Sequence, residues 1–455
     1  MKKKYTLDMT EGVIWKQIVI FTIPLVLGDL LQQFYNVADS IVIGRYVGKN
    51  ALAAISAVEY PINIIIGLFT GLSLGSTVTV SHAFGAKDIQ RLKNAIQTTM
   101  LFSVIVAAAL TLAGLLMIPW ILNILLIPEE IRDMVRAYMQ IYFAGVSGLV
   151  FYNMCGGILR AIGDSRRPLY ALIFSTFLNV TLNLVLVLKF DLNVRGVAFA
   201  TITSQFLSAF YLLYVICCRI DPAYRVELGR LYIKGDVLKN ILNVGLPMGI
   251  QKSLLAVSNT MVSSRINSFG ADTMAAWGVY RKLDQTIIYI PQNIGAAAST
   301  FVGQNLGGGK RDRIRTGSRV VLLMGGLSAL ALALTVILFR RPLISLFNAD
   351  GIVMEIGSLF ICTLLPVQWL SGITQVEAGI SRGYGKSIGP MMILLFSNIV
   401  MRQLFLQIGW LFVQTQTFVA LSYVVGWGTG LVVMSFYLRH MLRKQEVKES
   451  VNTNF

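Results

Sequence analysis

Apolar residues run along this chain in long stretches separated by short polar joints. Residues 101–128, 169–188, 196–218 and 320–339 are nearly free of charge over about 20 residues or more, the length a helix needs to cross the hydrocarbon core of a bilayer. The alternation predicts twelve membrane-spanning helices, over 14–43, 52–81, 94–119, 134–159, 168–189, 196–218, 238–264, 273–303, 316–339, 353–381, 389–413 and 417–438. They are too many and too regular for a secretory signal, and none has a signal's flanks at the N-terminus.

Composition agrees with that pattern. Only 13% of the 455 residues are charged and 55% are hydrophobic, against about 25% charged in a soluble globular protein. The net charge of +17 would in another setting point to nucleic acid. Here Lys and Arg crowd the alternate joints that include both termini, as membrane orientation requires. Both ends are therefore expected in the cytoplasm, which demands an even number of helices, and nucleic acid is not an expected partner. Cys155, Cys217, Cys218 and Cys362 fall in or beside spans without a CxxC, and His82 and His440 lie near helix ends. No resident metal or other cofactor is expected from them.

The chain also repeats itself. Pro24 recurs as Pro247, Asn36 as Asn259, Gly85 as Gly307 and Arg91 as Arg313; Arg160, Gly163, Ser165 and Pro168 recur as Arg382, Gly385, Ser387 and Pro390. Each repeat holds six spans, so both halves share one orientation in the membrane. The predicted fold is an all-α membrane protein of about twelve transmembrane helices, in two six-helix lobes related by a pseudo-two-fold axis along the membrane normal. Residues 1–218 form the N-terminal lobe, 219–239 a cytoplasmic linker and 240–455 a C-terminal lobe with a short basic tail. Paired lobes suit alternating access around a central site.

The individual motifs carry a family resemblance. The first span reads IPLVLGDLLQQFYNVADSIVIGRYVG (23–48), followed by ALAAIS; the second ends in HAFGAKD. The seventh and eighth contain GLPMGIQ, AAWGVYRKLD and VGQNLGGGK, and the fourth and tenth end in LRAIGDSRRP and ISRGYGKSIGP. In order and spacing, over essentially the whole chain, these resemble the MATE (multidrug and toxic compound extrusion) family, with bacterial members as the nearest kind. The resemblance implies a multi-pass protein of the bacterial plasma (inner) membrane. It implies export of small cationic or amphipathic compounds in exchange for protons or sodium ions, with lipid as surroundings and the monomer as working unit.

Asp39 is the leading candidate for coupling. A charge that deep in a span costs at least about 3 kcal/mol and marks a functional site. Gln32, Asn36 and Asp39 follow helical spacing and form one polar stripe. Asn179 and Asn183 share a face of the fifth span. The resemblance assigns Asp39 to the proton- or sodium-linked carboxylate and matches Asn179 and Thr201 to the family's Asn and Thr. Asn183 stands where archaeal and DinF-like members carry a second Asp. That loss weakens a sodium site at Asp39 and favours a proton. The Glu that NorM-like members carry in the seventh helix is missing from LLAVSNT (254–260), which sets the chain closer to the DinF-like members. In the C-terminal lobe Asp284, Glu377, Arg281 and Arg402, with Gln304, form a candidate substrate-binding polar network, the arginines neutralising the acids. Pro24 and Pro247 are candidate hinges, since proline removes a backbone hydrogen bond. Asp29 and Lys252 are repeat-equivalent and opposite in charge, as are Glu59 and Arg281; the first two are a candidate gate pair. Gly67, Gly71 and Gly75 form a close-packing face.

Other functions fit less well. Gly71–Gly75 matches GxSxG, but inside an apolar helix rather than at a strand–turn–helix elbow. GQNLGGGK (303–310) lacks the Ser or Thr that a phosphate loop needs after Lys310. An intramembrane enzyme therefore ranks last. A flippase for lipid-linked sugars or peptidoglycan precursors is the nearer rival and would show more cationic residues in its cleft.

Overall fold

A computed structural model describes residues 6–125 and 127–452; the side chains of Ser40, Lys49, Leu52, Glu59, Tyr60, Pro61, Asn63, Ile64 and 446–452 are not described. The Glu59 side chain, expected opposite Arg281 in the repeat, thus lies outside the described residues. The described chain is helical throughout. α1 spans Ile14–Val42 and runs on as a π turn Ile43–Val47; α2 is Lys49–Gly85, α3 Ile89–Ile124, α4 Glu129–Ala144, α5 Val146–Ala161, α6 Arg166–Leu184 and α7 Asn193–Tyr214. The second half holds α8 Gly235–Asn267, α9 Ala271–Gly307, α10 Arg311–Leu338, α11 Arg340–Ser345, α12 Gly351–Leu364, α13 Trp369–Gly383, α14 Ile388–Leu395, a π turn Phe396–Met401, α15 Arg402–Trp410 and α16 Gln416–Asn452.

Eight of these segments are long and apolar enough to cross a membrane, and ten once each of two bent pairs counts as one span. α8 and α9, of 33 and 37 residues, complete the expected twelve. They are long enough to span but fall short in apolarity, because polar residues such as Asn259, Arg281, Asp284 and Gln292 interrupt them. Two expected single spans are broken. α4 and α5 meet at 44°, and α12 with its following turn meets α13 at 46°. Gly145 forms the first break, where a Cβ would lie 2.5 Å from the Ile202 side chain. Pro366 lies in the 3₁₀ turn Leu365–Val367 of the second, where it lacks the N–H that would continue the helix.

The chain forms two compact units. The first comprises the residues up to Glu11, Val19–Gly249 and Gly303–Gly309; the second comprises Gly12–Ile18, Ile250–Val302 and the residues from Lys310 onward. In the first unit α5 packs against α2, α3 and α7. Ser73 Oγ donates to the Asn153 carbonyl at 2.6 Å and Thr77 Oγ1 to the Gly157 carbonyl at 3.1 Å. α2 also crosses the N-terminal half of α8 at backbone contact. A Cβ at Gly71 would lie 2.4 Å from Gly249 N, and one at Gly75 would lie 2.2 Å from the Ile241 carbonyl. Two small-xxx-small runs thus face each other, as the α2 glycines predict. Segment 219–239 is tied to α3: Lys93 pairs with Glu227 at 2.5 Å, and Tyr232 Oη donates to Asn94 Oδ1 at 2.7 Å. In the second unit α13 packs against α10 and α16 and touches α9 so closely that a Cβ at Gly379 would lie 2.2 Å from the Gly295 carbonyl.

The repeat is visible in local geometry. Gly163 and Gly385 follow α5 and α13 with φ of 86° and 76°, a left-handed conformation that favours glycine. At each, two backbone bonds close the helix end: Gly163 N to Arg160 O and Asp164 N to Leu159 O, then Gly385 N to Arg382 O and Lys386 N to Ser381 O. This is the glycine-terminated helix cap, and it explains why the glycine recurs.

Candidate functional site

Asp39 lies near the C-terminal end of α1 and is partly buried. Asn183 of α6 donates through Nδ2 to Asp39 Oδ1. The same Nδ2 donates to Asn179 Oδ1 at 3.1 Å, and Asn179 Nδ2 donates to Tyr35 Oη at 3.1 Å. A chain of polar groups therefore runs Asp39–Asn183–Asn179–Tyr35 between two helices of the first unit. Both asparagines and Tyr35 are buried, and Thr201 of α7 is buried with them. Asn183 Oδ1 and Thr201 Oγ1 have no hydrogen-bond partner among the described residues. The chemistry here is one carboxylate with unfilled neutral oxygens in the same unit, a donor set that a hard cation or a proton can satisfy.

Tyr35 is the member that sequence reading missed. Gln32 and Asn36, expected on the Asp39 face, are exposed, while Tyr35, four residues before Asp39, takes the inward place. On α4, Tyr138 and Tyr142 stack with ring centroids 6.1 Å apart. Pro24 and Pro247 lie inside α1 and α8, whose helical course continues through both. Asp29 and Lys252 fall in different units; Asp29 interacts electrostatically with Arg160 and Tyr152 of its own unit.

The second unit contains an open-mouthed cavity of about 250 Å³, lined among others by Asn259, Arg281, Asp284, Gln368, Arg402 and Trp427. Three members of the expected polar network line it. Arg281 pairs with Asp284 at 3.2 Å. Gln368 Nε2 donates to Asp284 Oδ1 at 2.5 Å, and Tyr280 Oη to the same oxygen at 3.4 Å. Arg402 neutralises neither acid: it donates to Asn259 Oδ1 at 2.9 Å and Ser258 Oγ at 2.6 Å, with its guanidinium 4.7 Å from the Tyr423 ring centroid. Glu377 is buried but does not line the cavity. Ser435 Oγ donates to it at 2.6 Å and Arg439 interacts with it electrostatically. Gln304 belongs elsewhere altogether, in the first unit. Its Nε2 donates to the Ala161 carbonyl at 2.8 Å and its Oε1 accepts from Met9 N at 2.9 Å, so it clamps the N-terminal segment onto the end of α5.

Comparison with known proteins follows the same outline. The MatE family model matches residues 24–185 and 247–406, one stretch in each repeat. Probable multidrug resistance protein YoeA of Bacillus subtilis is 28% identical over 391 residues, covering 84% of this chain and 84% of the relative. Probable multidrug resistance protein NorM of Thermotoga maritima is 25% identical over 389 residues, covering 84% and 82%. Among solved structures, the outward-facing conformation of a multidrug resistance MATE family transporter of the MOP superfamily superposes with a TM-score of 0.91 at 22% identity, covering 98% of this chain and 100% of that one.

Proposed function

This chain belongs to the MatE family of transporters, and on that premise we propose that it exports small amphipathic drugs, cationic ones included, in exchange for a proton or a sodium ion bound at Asp39. The observation that carries the reading is the Asp39 carboxylate joined by Asn183 to a buried polar chain that leaves Asn183 Oδ1 and Thr201 Oγ1 unfilled.

An ionised carboxylate in a low-dielectric span is costly, and a bound cation removes that cost. A proton turns Asp39 into a donor; sodium would add Asn183 Oδ1 and Thr201 Oγ1 as ligands. With one carboxylate in the group, the proton asks less of the site. Either event rearranges the bonds between α1 and α6, and Pro24 gives α1 a place to bend in response. For a drug without net charge the potential is sufficient: one charge moving inward through 100 mV supplies about 2.3 kcal/mol, or about 50-fold in drug accumulation; a monovalent cation exchanged one for one moves no net charge, and the concentration gradient of the coupling ion drives it. In this reading residues 1–218 and 240–455 are the two lobes of alternating access and 219–239 is the cytoplasmic linker. Both termini face the cytoplasm, and one copy in lipid suffices.

The test is efflux of ethidium from proteoliposomes. Imposing an inward proton gradient or an inward sodium gradient should drive dye out, and dissipating both should stop it. Efflux indifferent to both gradients overturns the proposal.

A further inference from the structure

The cavity of the second unit has the opposite electrostatic character to the Asp39 group. Arg281, Asp284 and Arg402 are its charged lining residues. Arg281 is paired with Asp284, which leaves Arg402 without an acid among the described residues. Arg402 is only 2% exposed, and its Nε has no partner among the described residues. A guanidinium keeps its charge when buried. Two neutral acceptors and the Tyr423 ring compensate that charge only in part.

The repeat shows how the reversal arose. In the register set by Pro24 and Pro247, Tyr35 and Asn36 correspond to Ser258 and Asn259. Asn179 bonds Tyr35 in the first unit, and Arg402 bonds Ser258 and Asn259 in the second. The π turn Phe396–Met401 inserts one residue, shifting the match of Pro168 with Pro390 so that Arg402 stands for Asn179. Asp39 itself corresponds to Val262, which is buried. Where the first unit has a carboxylate and an amide, the second has an aliphatic side chain and a cation.

We infer that the cavity of the second unit binds an organic anion, a carboxylate on a flat aromatic body, with Arg402 as its charge partner. Arg402 lines the cavity, so a carboxylate seated there lies against its partly compensated charge. Trp427, Tyr289 and Leu255 line the same cavity and provide apolar faces. Gln292 lines the cavity and is exposed, so its amide oxygen can accept from a ligand hydroxyl or N–H. The volume of about 250 Å³ falls just below the roughly 300–1,000 Å³ of drug-sized sites, so it fits a fused-ring carboxylate or the acidic end of a larger amphiphile. This rests on the exporter reading for its biological meaning, since it extends the substrates to anionic and zwitterionic amphiphiles; the binding itself needs no ion gradient.

Isothermal titration calorimetry on the purified full-length protein tests it with 2-naphthoate, 2-naphthamide and a 2-naphthyl trimethylammonium salt. Naphthoate should bind saturably and at least tenfold tighter than the other two. Amide or ammonium binding as tight as naphthoate overturns the inference, with no variant required. Arg402→Gln should weaken naphthoate at least tenfold. Because that variant can disturb folding, Gln285→Glu serves as the second: Gln285 lines the cavity and is exposed, and the added carboxylate should weaken naphthoate at least fivefold. Unchanged affinity in Gln285→Glu counts against the assignment. Naphthoate binding that survives while gradient-driven ethidium efflux fails would sink the exporter reading alone; the converse would sink this inference alone.

Discussion

Asp39 has two helical neighbours on its N-terminal side, Tyr35 at four residues and Asn36 at three, and spacing treats them alike. The structure turns Tyr35 inward because its ring fills apolar space while its hydroxyl meets Asn179 at 3.1 Å. Periodicity could place a polar face near Asp39 but could not choose between those flanks. Asn179 and Asn183 were legible because four-residue spacing leaves one face only. Arg402 was legible as a buried cation but not in its partners, since acids were the expected partners and the structure supplies an amide and a hydroxyl. The amide at position 183, bonded to Asp39, has a testable consequence. Asn183→Asp should make ethidium efflux at fixed pH respond to sodium more strongly than in the parent protein, read as the sodium concentration giving half-maximal efflux. An unchanged sodium response would show that position 183 does not contact the cation. Outside the spans, burial pushes the Asp164 carboxyl up to about 6, against the lowering effect of the Arg167 and Arg166 amides and charges. Its folded pKa therefore exceeds the unfolded one. Its contribution to stability is full below the ordinary value of 3.8 and is lost as pH rises through about 6. Thermal melting of the parent protein in detergent should fall relative to Asp164→Asn as pH rises across that window; a constant difference would contradict the shift.

At the scale of elements, apolar length was enough to count spans but not to see where they break. Gly145 and Pro366 are ordinary residues of a membrane helix by hydropathy. The first leaves room for Ile202, which a Cβ would meet at 2.5 Å, and the second cannot donate a backbone bond. α8 and α9 show the converse, since their polar residues lower the apolar signal and several of them line the cavity of the second unit. Glycine contacts carry much of the packing between helices. A Cβ at Gly75 would lie 2.2 Å from the Ile241 carbonyl, whereas one at Gly428 would meet nothing within 4 Å. Gly75→Leu should therefore destabilise the protein by about 2 kcal/mol or more, as overpacking does, while Gly428→Ala should be near neutral or slightly stabilising. Thermal melting of the two variants in the same detergent checks the contrast. Equal effects would contradict a backbone-contact crossing of α2 and α8. The recurring cap glycines make a parallel case: Gly163→Ala must hold a φ of 86° with its Cβ 2.1 Å from the Leu7 carbonyl, so loss of folded yield is expected.

Over the whole molecule, the repeat was the most informative feature of the sequence, and its divergence is as useful as its identities. Matching residues mark what both halves need, namely capped helix ends and close crossings. Where the halves differ, chemistry concentrates: Asp39 against Val262, Asn179 against Arg402. Gln304 shows the limit of reading by location in a span. Its position in the eighth span groups it with the acids of the second half, yet α9 carries it into the first unit, where it holds the N-terminal segment. No local pattern signals that, because its partners Met9 and Ala161 are bonded through their backbones. In the proposed mechanism Asp39 converts a cation gradient into drug export. Proteoliposomes bearing Asp39→Asn, compared with the parent protein at equal reconstituted amounts under the same inward gradient, test this most directly. Gradient-driven ethidium efflux should fall at least tenfold, to the level seen without a gradient. Efflux by Asp39→Asn at the parental rate, still responsive to the gradient, would contradict it.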